Sequence, residues 1–478
     1  MSETVERRNP LAYEKISRLL IRFAIPSIVG SLVIAFYNIV DQLFIGNVIG
    51  TLGNTATGLF FPFVNACLAL GLGFGVGGAA AFNLKMGAGE KEEAPYFFGN
   101  ALTSLFLSGV LLCIVAQIFM PVILPLFGAS VNVMEMATEY ATILAFGFPL
   151  AIIGSGSGNL LRADGRPHLT MVCNLTGCLL NIGLDAWFII GLRWGIRGAA
   201  IATVIGQFVG AVLAIIFLTR CRSFKLQWKH LVPKPKYFGR DIKLGLGPML
   251  NQLTMMVVQI FTNSSLSIYG GQSKYGPDIP VACASIIGKV SSMFQSVSIG
   301  LCQATQPIVS FNYGAKNYRR VKEALFRALL YAAIISFVAF IIFQTIPDKI
   351  LGLFGKGNDL YIEYGCMYFR ITIMLIIIIF VQVQTSNFFT AIGKPLKGTL
   401  LSLTRSVIFF IPILLIFRST FGIMGVVWTT PTADIFAISI SAITLFVELQ
   451  RPEFKNEKQV WRSIFSKKVA AKYAQGNE

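Results

Sequence analysis

The chain states its pattern twice. Leu126-Phe127-Gly128 returns as Leu353-Phe354-Gly355, and Gly87-Ala88 returns as Gly314-Ala315. Gly165-Arg166-Pro167 returns as Gly393-Lys394-Pro395, and Gly195-Ile196-Arg197-Gly198 as Gly422-Ile423-Met424-Gly425. Four matches in one order, at offsets of 227 or 228, point to duplication of a unit of roughly 220 residues. Each copy is dense in apolar segments, so the repeated unit is a membrane bundle. Two copied bundles in one chain match the layout of transporters, with the substrate path between the halves.

Hydrophobic residues make up 55% of the chain and charged residues 13%, where a soluble domain is nearer a quarter charged. A helix needs roughly 20 apolar residues to cross the bilayer core. Twelve stretches meet that need: 16–46, 54–83, 97–119, 136–161, 168–191, 198–219, 241–269, 281–311, 322–345, 360–391, 396–417 and 422–447. Long apolar runs between short polar turns indicate helices rather than barrel strands. Six spans per half is an even number, so both halves enter the membrane from one side and the repeat is parallel. The expected fold is an all-α integral membrane protein with twelve transmembrane helices in two parallel-repeat six-helix bundles. Its parts are a lead at 1–15, an N-lobe at 16–219, a basic linker at 220–240, a C-lobe at 241–447 and a tail at 448–478.

The net charge of +18 raises nucleic acid as a partner, but its placement argues against that. Arg220, Arg222, Lys225, Lys229, Lys234, Lys236, Arg240 and Lys243 crowd the central connection. Lys316, Arg319, Arg320 and Lys322 lie between spans eight and nine, and more cations fill the tail. All fall on one side in a twelve-span count, which by the positive-inside bias puts both termini of a multi-pass protein in the cytoplasm. No signal peptide is expected, because no short apolar core with a small-residue cleavage site follows the N-terminal cations. The eight cysteines form no CxxC pair and read as free apolar thiols. His168 and His230 fall near the cytoplasmic connections and are expected in water. In the tail, Val460, Trp461, Ile464, Phe465 and Val469 recur at helical spacing among lysines, which fits either a helix on anionic lipid or a disordered segment.

Intramembrane carboxylates are expensive and so informative. The N-lobe has Asp41 and Asp185, and the C-lobe has Asp434. Counted from the span ends at the helical rise, Asp41, Asp185 and Thr203 share one depth in the outer half. Asn181 stands four residues before Asp185, and Tyr37 and Asn38 stand four and three before Asp41, each on the face of its carboxylate. Such oxygen-rich groups suit Na⁺, and two close carboxylates also suit a shared proton. The other reading is a hydrogen-bond cluster that locks the bundle. No cofactor is expected beyond Na⁺ or H⁺ as coupling ion. The position 227 after Asp185 is Pro412, so the chemistry is expected in the first half alone.

Asp434 and Arg405 fall at neighbouring depths on spans twelve and eleven, which predicts a structural ion pair, the alternative being a direct role towards substrate or proton. Pro26 and Pro248 should bend spans one and seven. Gln252, Gln259 and Asn263, interleaved with Met255 and Met256, form a polar stripe on span seven. It fits a cavity for amphipathic ligands or glue between helices. Gly71, Gly73, Gly75, Gly77 and Gly78 in span two fit a sliding surface or ordinary close packing.

Twelve spans, a six-plus-six parallel repeat, Asp41-Gln-Leu-Phe-Ile-Gly46 near the end of span one and Leu161-Arg-Ala-Asp-Gly-Arg-Pro167 after span four resemble the multidrug and toxic compound extrusion (MATE) family. The resemblance covers nearly the whole chain and is nearest the DinF-type, MepA-like prokaryotic branch. It implies a cation site on Asp41, Asn181, Asp185 and Thr203, a first helix bent at Pro26, and export of amphipathic, often cationic, compounds in exchange for Na⁺ or H⁺. The NorM-type branch carries a glutamate in span seven, where this chain has only amides. Small molecules and membrane lipid are the expected partners, with no obligate protein partner and no enzymatic activity. The alternatives are a flippase for lipid-linked oligosaccharides, for which Arg370 and Arg405 are the candidate pyrophosphate contacts, and a membrane-embedded transferase, for which no catalytic cluster stands out.

Overall fold

The computed structural model describes residues 10–126, 131–276, 278–354 and 359–455. The expected tail helix around Trp461 lies outside them. All regular structure among the described residues is helical. In the N-lobe, spans one to three are Ile16–Val48, Thr51–Gly87 and Ala94–Leu126. Span four is Val131–Phe146 followed by Phe148–Ala163. Span five is Pro167–Asp185 continued by the π-helical Ala186–Gly191, and span six is Gly195–Thr219. In the C-lobe, spans seven to nine are Pro235–Gly271, Asp278–Gly314 and Tyr318–Thr345. Span ten is Asp359–Thr372 followed by Ile376–Ala391. Pro395–Leu403 passes through the π-helical Thr404–Phe410 into Ile411–Leu449, and Gly422 at φ 59° divides spans eleven and twelve there.

The duplication is written into the backbone. Eight of the nine left-handed residues fall in pairs across the lobes, Gly50 with Gly276, Gly89 with Lys316, Gly165 with Gly393 and Gly195 with Gly422, and Arg193 stands alone among the described residues. The sharp bends pair as well, at 54° in span four and 46° in span ten. Pro26 and Pro248, where bends are also expected, sit inside unbroken helices, since one missing N–H does not by itself end a helix. The break in span four falls at Gly147 with Pro149 at the next helix start; in span ten it falls within the isoleucine-rich Ile373–Ile376 turn.

The lobes meet over the half nearer the basic connections, here the basic end. Span two is the hub, and its glycines divide by partner. An added Cβ on Gly77 would stand 1.8 Å from the Asp241 carbonyl oxygen, and one on Gly245 would stand 1.7 Å from that of Gly73. Spans two and seven therefore cross backbone to backbone. Gly71 and Gly75 meet Ser155 and Gly156 of span four, and Gly78 meets Ala101 of span three. Gly87 and Gly314 repeat the close crossing between spans two and eight, with Cβ distances of 2.0 Å and 2.1 Å to Phe311 and Leu84 carbonyl oxygens. Farther from the basic end, Gln252 Nε2 donates across the lobes to Asn65 Oδ1 at 2.6 Å.

Two boundaries differ from expectation. Residues 10–15 are not a free lead: Leu11 is fully buried with Ile16, Leu19 and Phe23 against Leu301, Ala304 and Ile308 of span eight. Arg320 donates to the carbonyls of Leu11 and Glu14 at 3.2 and 2.7 Å. Span one thus begins on the C-lobe and ends in the N-lobe. The linker is shorter than expected, because Pro235 opens span seven six residues before the anticipated start. Asn100 clamps the linker, accepting from the Lys234 N–H at 2.7 Å and donating to the His230 carbonyl at 3.1 Å. His230, expected in water, is buried, with its ring edge-on to Tyr96 and its Nδ1 accepting from the Gln227 N–H. Glu93 joins Lys236 at 2.6 Å and Lys85 at 2.7 Å. Those hydrogen bonds, Lys236 first, hold its carboxyl down at about 2.

Candidate coupling-ion site

Spans one, five and six bring the predicted polar residues together. Gly177 and Gly206 let spans five and six approach closely; a Cβ on either would stand about 3 Å from the other's carbonyl oxygen. One turn beyond Gly177, Asn181 Nδ2 reaches Thr203 Oγ1 at 3.3 Å. Asp185 is fully buried, Asn181 and Thr203 nearly so. The Asp41 and Asp185 carboxyl groups are within hydrogen-bonding reach of each other, and the Tyr37 hydroxyl reaches Thr203. Asn38 does not join them: it is exposed, because its place on span one turns it away from spans five and six. Asp185 closes the α-helical part of span five, and the π-helical segment starts at the next residue. Such widened turns re-aim side chains and recur at functional sites.

Asp41 Oδ1, Asn181 Oδ1 and both Asp185 carboxylate oxygens are buried and have no hydrogen-bond partner. Ionised carboxylates and amide oxygens only accept, and unsatisfied buried acceptors are costly. These oxygens can take a donated hydrogen bond, a proton or an oxygen-bound cation. Among the described residues no three His, Cys, Asp or Glu side chains converge as a metal group, so the donors are two carboxylates, an amide and hydroxyls. Sequence reasoning missed two neighbours. Tyr140 of span four is buried within range of both aspartates. Gln207, one turn past Thr203, has a buried unpaired Oε1. Glu139 stands next to Tyr140 in span four but is paired with Arg197, so the acid beside it did not mark Tyr140; Gln207 was legible as i+4 from Thr203.

The other candidates lie apart. Arg405, in the π-helical part of span eleven, donates to Asp434 Oδ1 at 2.7 Å. Arg370 is exposed and Arg405 is committed to Asp434. Gln252 is spent on Asn65, Gln259 bonds Asn263 at 2.8 Å, and Met255 and Met256 are half-buried. Charges inside the spans were also undercounted. Asp241 is fully buried at the crossing of spans two and seven, with neither oxygen partnered. Lys289 sits within span eight. Counting cations as well as acids inside apolar runs finds it. Glu448 receives Lys394, Lys397 and Arg451.

The family model MatE matches residues 26–187 and 249–416, one block in each lobe and together more than half the chain. The multidrug export protein MepA of Staphylococcus haemolyticus is 23% identical over 420 residues, covering 88% of this chain and 91% of that protein. MepA of Staphylococcus aureus is 23% identical over 435 residues, covering 91% and 94%. A solved outward-facing conformation of a multidrug resistance MATE family transporter aligns at a TM-score of 0.86 and 23% identity, covering 93% of this chain and 98% of its own. A MATE in complex with MaL6 aligns at 0.85 and 24%, with the same coverage. With the family model carrying both lobes and the solved folds matching the whole bundle, the chain belongs to the MatE family of multidrug and toxic compound extrusion transporters.

Proposed function

We propose that this protein is a secondary active antiporter of the cytoplasmic membrane, which exports amphipathic compounds in exchange for H⁺ or Na⁺ by alternating access. The observation that carries this reading is the group of buried, unpaired acceptor oxygens on Asp41, Asn181 and Asp185. Desolvating two carboxylates in a bundle has no structural return unless something positive comes and goes there. Export by the staphylococcal relatives supports the substrate class.

The coupling works through span one. Its basic half belongs to the C-lobe cluster with Leu301 and Ile308, while Asp41 lies in the N-lobe. A proton or Na⁺ shared by Asp41 and Asp185 draws the far half of span one onto spans five and six. Loss of that ligand leaves two like charges in contact and pushes span one away. Pro26 lies between the two halves and leaves one backbone carbonyl unpaired, which makes it the place to flex. Movement of span one then reaches both lobes, and rocking about the glycine crossings opens one side as it closes the other.

Inside-out vesicles carrying a fluorescent cationic dye, with Na⁺ and proton gradients imposed separately, test the reading. Dye movement should follow one gradient and disappear in Asp41→Asn and Asp185→Asn. Normal export by both variants would remove the site from the mechanism. Movement of a lipid-linked pyrophosphate instead of any dye would favour the flippase alternative.

A further inference from the structure

Span eight carries a lysine in its interior, Lys289, eleven residues from its start at Asp278. At the helical rise that is about 16 Å into the span. A lysine at such depth is costly on a lipid-facing surface and is tolerated where it meets a cavity or a partner. Its side chain is exposed, and no carboxylate pairs with it among the described residues.

The helix itself says which way it points. Cys283, Ala284, Ile287 and Phe294 of span eight are buried in the C-lobe core with Tyr364 and Tyr368. At 100° per residue Lys289 lies on the opposite side. That side is not turned to lipid. Gly300 lies eleven residues on, three turns along the same face, and a Cβ added there would stand 2.7 Å from Ile28 Cα of span one. Lys289 therefore lies on the side of span eight that is turned to span one, whose far half belongs to the N-lobe. Ser285, Ser292 and Ser296 share its stripe, the first two exposed; their hydroxyls donate to carbonyls of their own helix, so the face is polar over three turns and Lys289 is its uncommitted donor among the described residues. Spans one and eight run antiparallel, so eleven residues back from Gly300 matches eleven residues on from Ile28. Lys289 stands level with the stretch from Asn38 to Gln42, both exposed on span one, and so with Asp41.

We propose that Lys289 and its serine stripe form a subsite in the interlobe cleft for the anionic group of a substrate, such as the carboxylate of a zwitterionic amphiphile. The inference rests on the export reading and names a substrate class within it: molecules that carry an acid as well as an apolar body. A purely cationic compound gains nothing from this lysine.

The test uses the full chain in phosphatidylcholine nanodiscs and a pair of probes, a rhodamine zwitterion with a free carboxylate and the methyl ester of the same dye. Binding is read at equilibrium by fluorescence polarisation with no gradient, so it stands apart from any failure of antiport. Lys289→Met should weaken the zwitterion about tenfold and change the ester by less than about twofold, while Lys289→Arg keeps the wild-type pattern. Equal shifts for both dyes, no shift for either, or no binding of the zwitterion to wild type would overturn the proposal. A zwitterion preference that vanishes when phosphatidylglycerol replaces phosphatidylcholine would assign the anion to a lipid headgroup and overturn the substrate reading.

Discussion

Asp434 shows how one charge is made tolerable inside this bundle. Its carboxylate is almost fully buried and takes a hydrogen bond from Arg405 Nε at 2.7 Å. Removing one member of such a pair strands the other, at about 3–5 kcal/mol, whereas replacing both with apolar groups is often nearly neutral. Asp434→Asn should therefore lower the unfolding midpoint in detergent clearly, and Arg405→Leu with Asp434→Leu should recover most of the loss. An Asp434→Asn protein as stable as wild type would mean the pair contributes little. Among the described residues no cation pairs with Asp41 or Asp185, which sets the Arg405–Asp434 pair apart from the proposed coupling site. Both sets were legible from depth counting, since helical rise converts residue number into height. Tyr140 was not, because an aromatic hydroxyl in an apolar run looks like packing until the fold sets it beside the acids.

Span two is the element over which the lobes meet. Gly77→Ala would bring a methyl group within 1.8 Å of the Asp241 carbonyl oxygen, and backbone cannot yield as a side-chain tip does. The variant should hold spans two and seven apart at the basic end, read as a longer distance between spin labels placed across the crossing. Gly154→Ala serves as control, for nothing lies within 4 Å of its Cβ, and alanine there should be neutral or slightly stabilising. Equal label distances in both variants would show that the crossing is not tight. The run of glycines in span two was visible in the sequence. Which of them meets span three, four or seven was not, because periodicity assigns faces and never partners. The same holds for the bends: proline marks where a helix is weak, and packing decides whether it yields.

At the scale of the molecule, span one belongs to both lobes. Its start is held on the C-lobe by Leu11 in the core and by Arg320 on the carbonyls of Leu11 and Glu14. Arg320→Ala should raise amide hydrogen exchange over residues 10–16 and leave the far end of span one protected; unchanged exchange would show that burial of Leu11 alone holds the segment. The interlobe tie through Glu93 is charged at neutral pH, since a carboxyl held down at about 2 loses its contribution only as acid takes the pH down towards that value. Twelve helices, their two-fold repetition and the level of the acidic pair were determined by the sequence alone, because apolar length, turn residues and helical rise are local properties that each segment carries within itself. Where the lobes touch, that span one bridges them, and that Lys289 is turned to span one were decided by the tertiary structure, because which helix faces meet depends on glycine contacts between segments hundreds of residues apart.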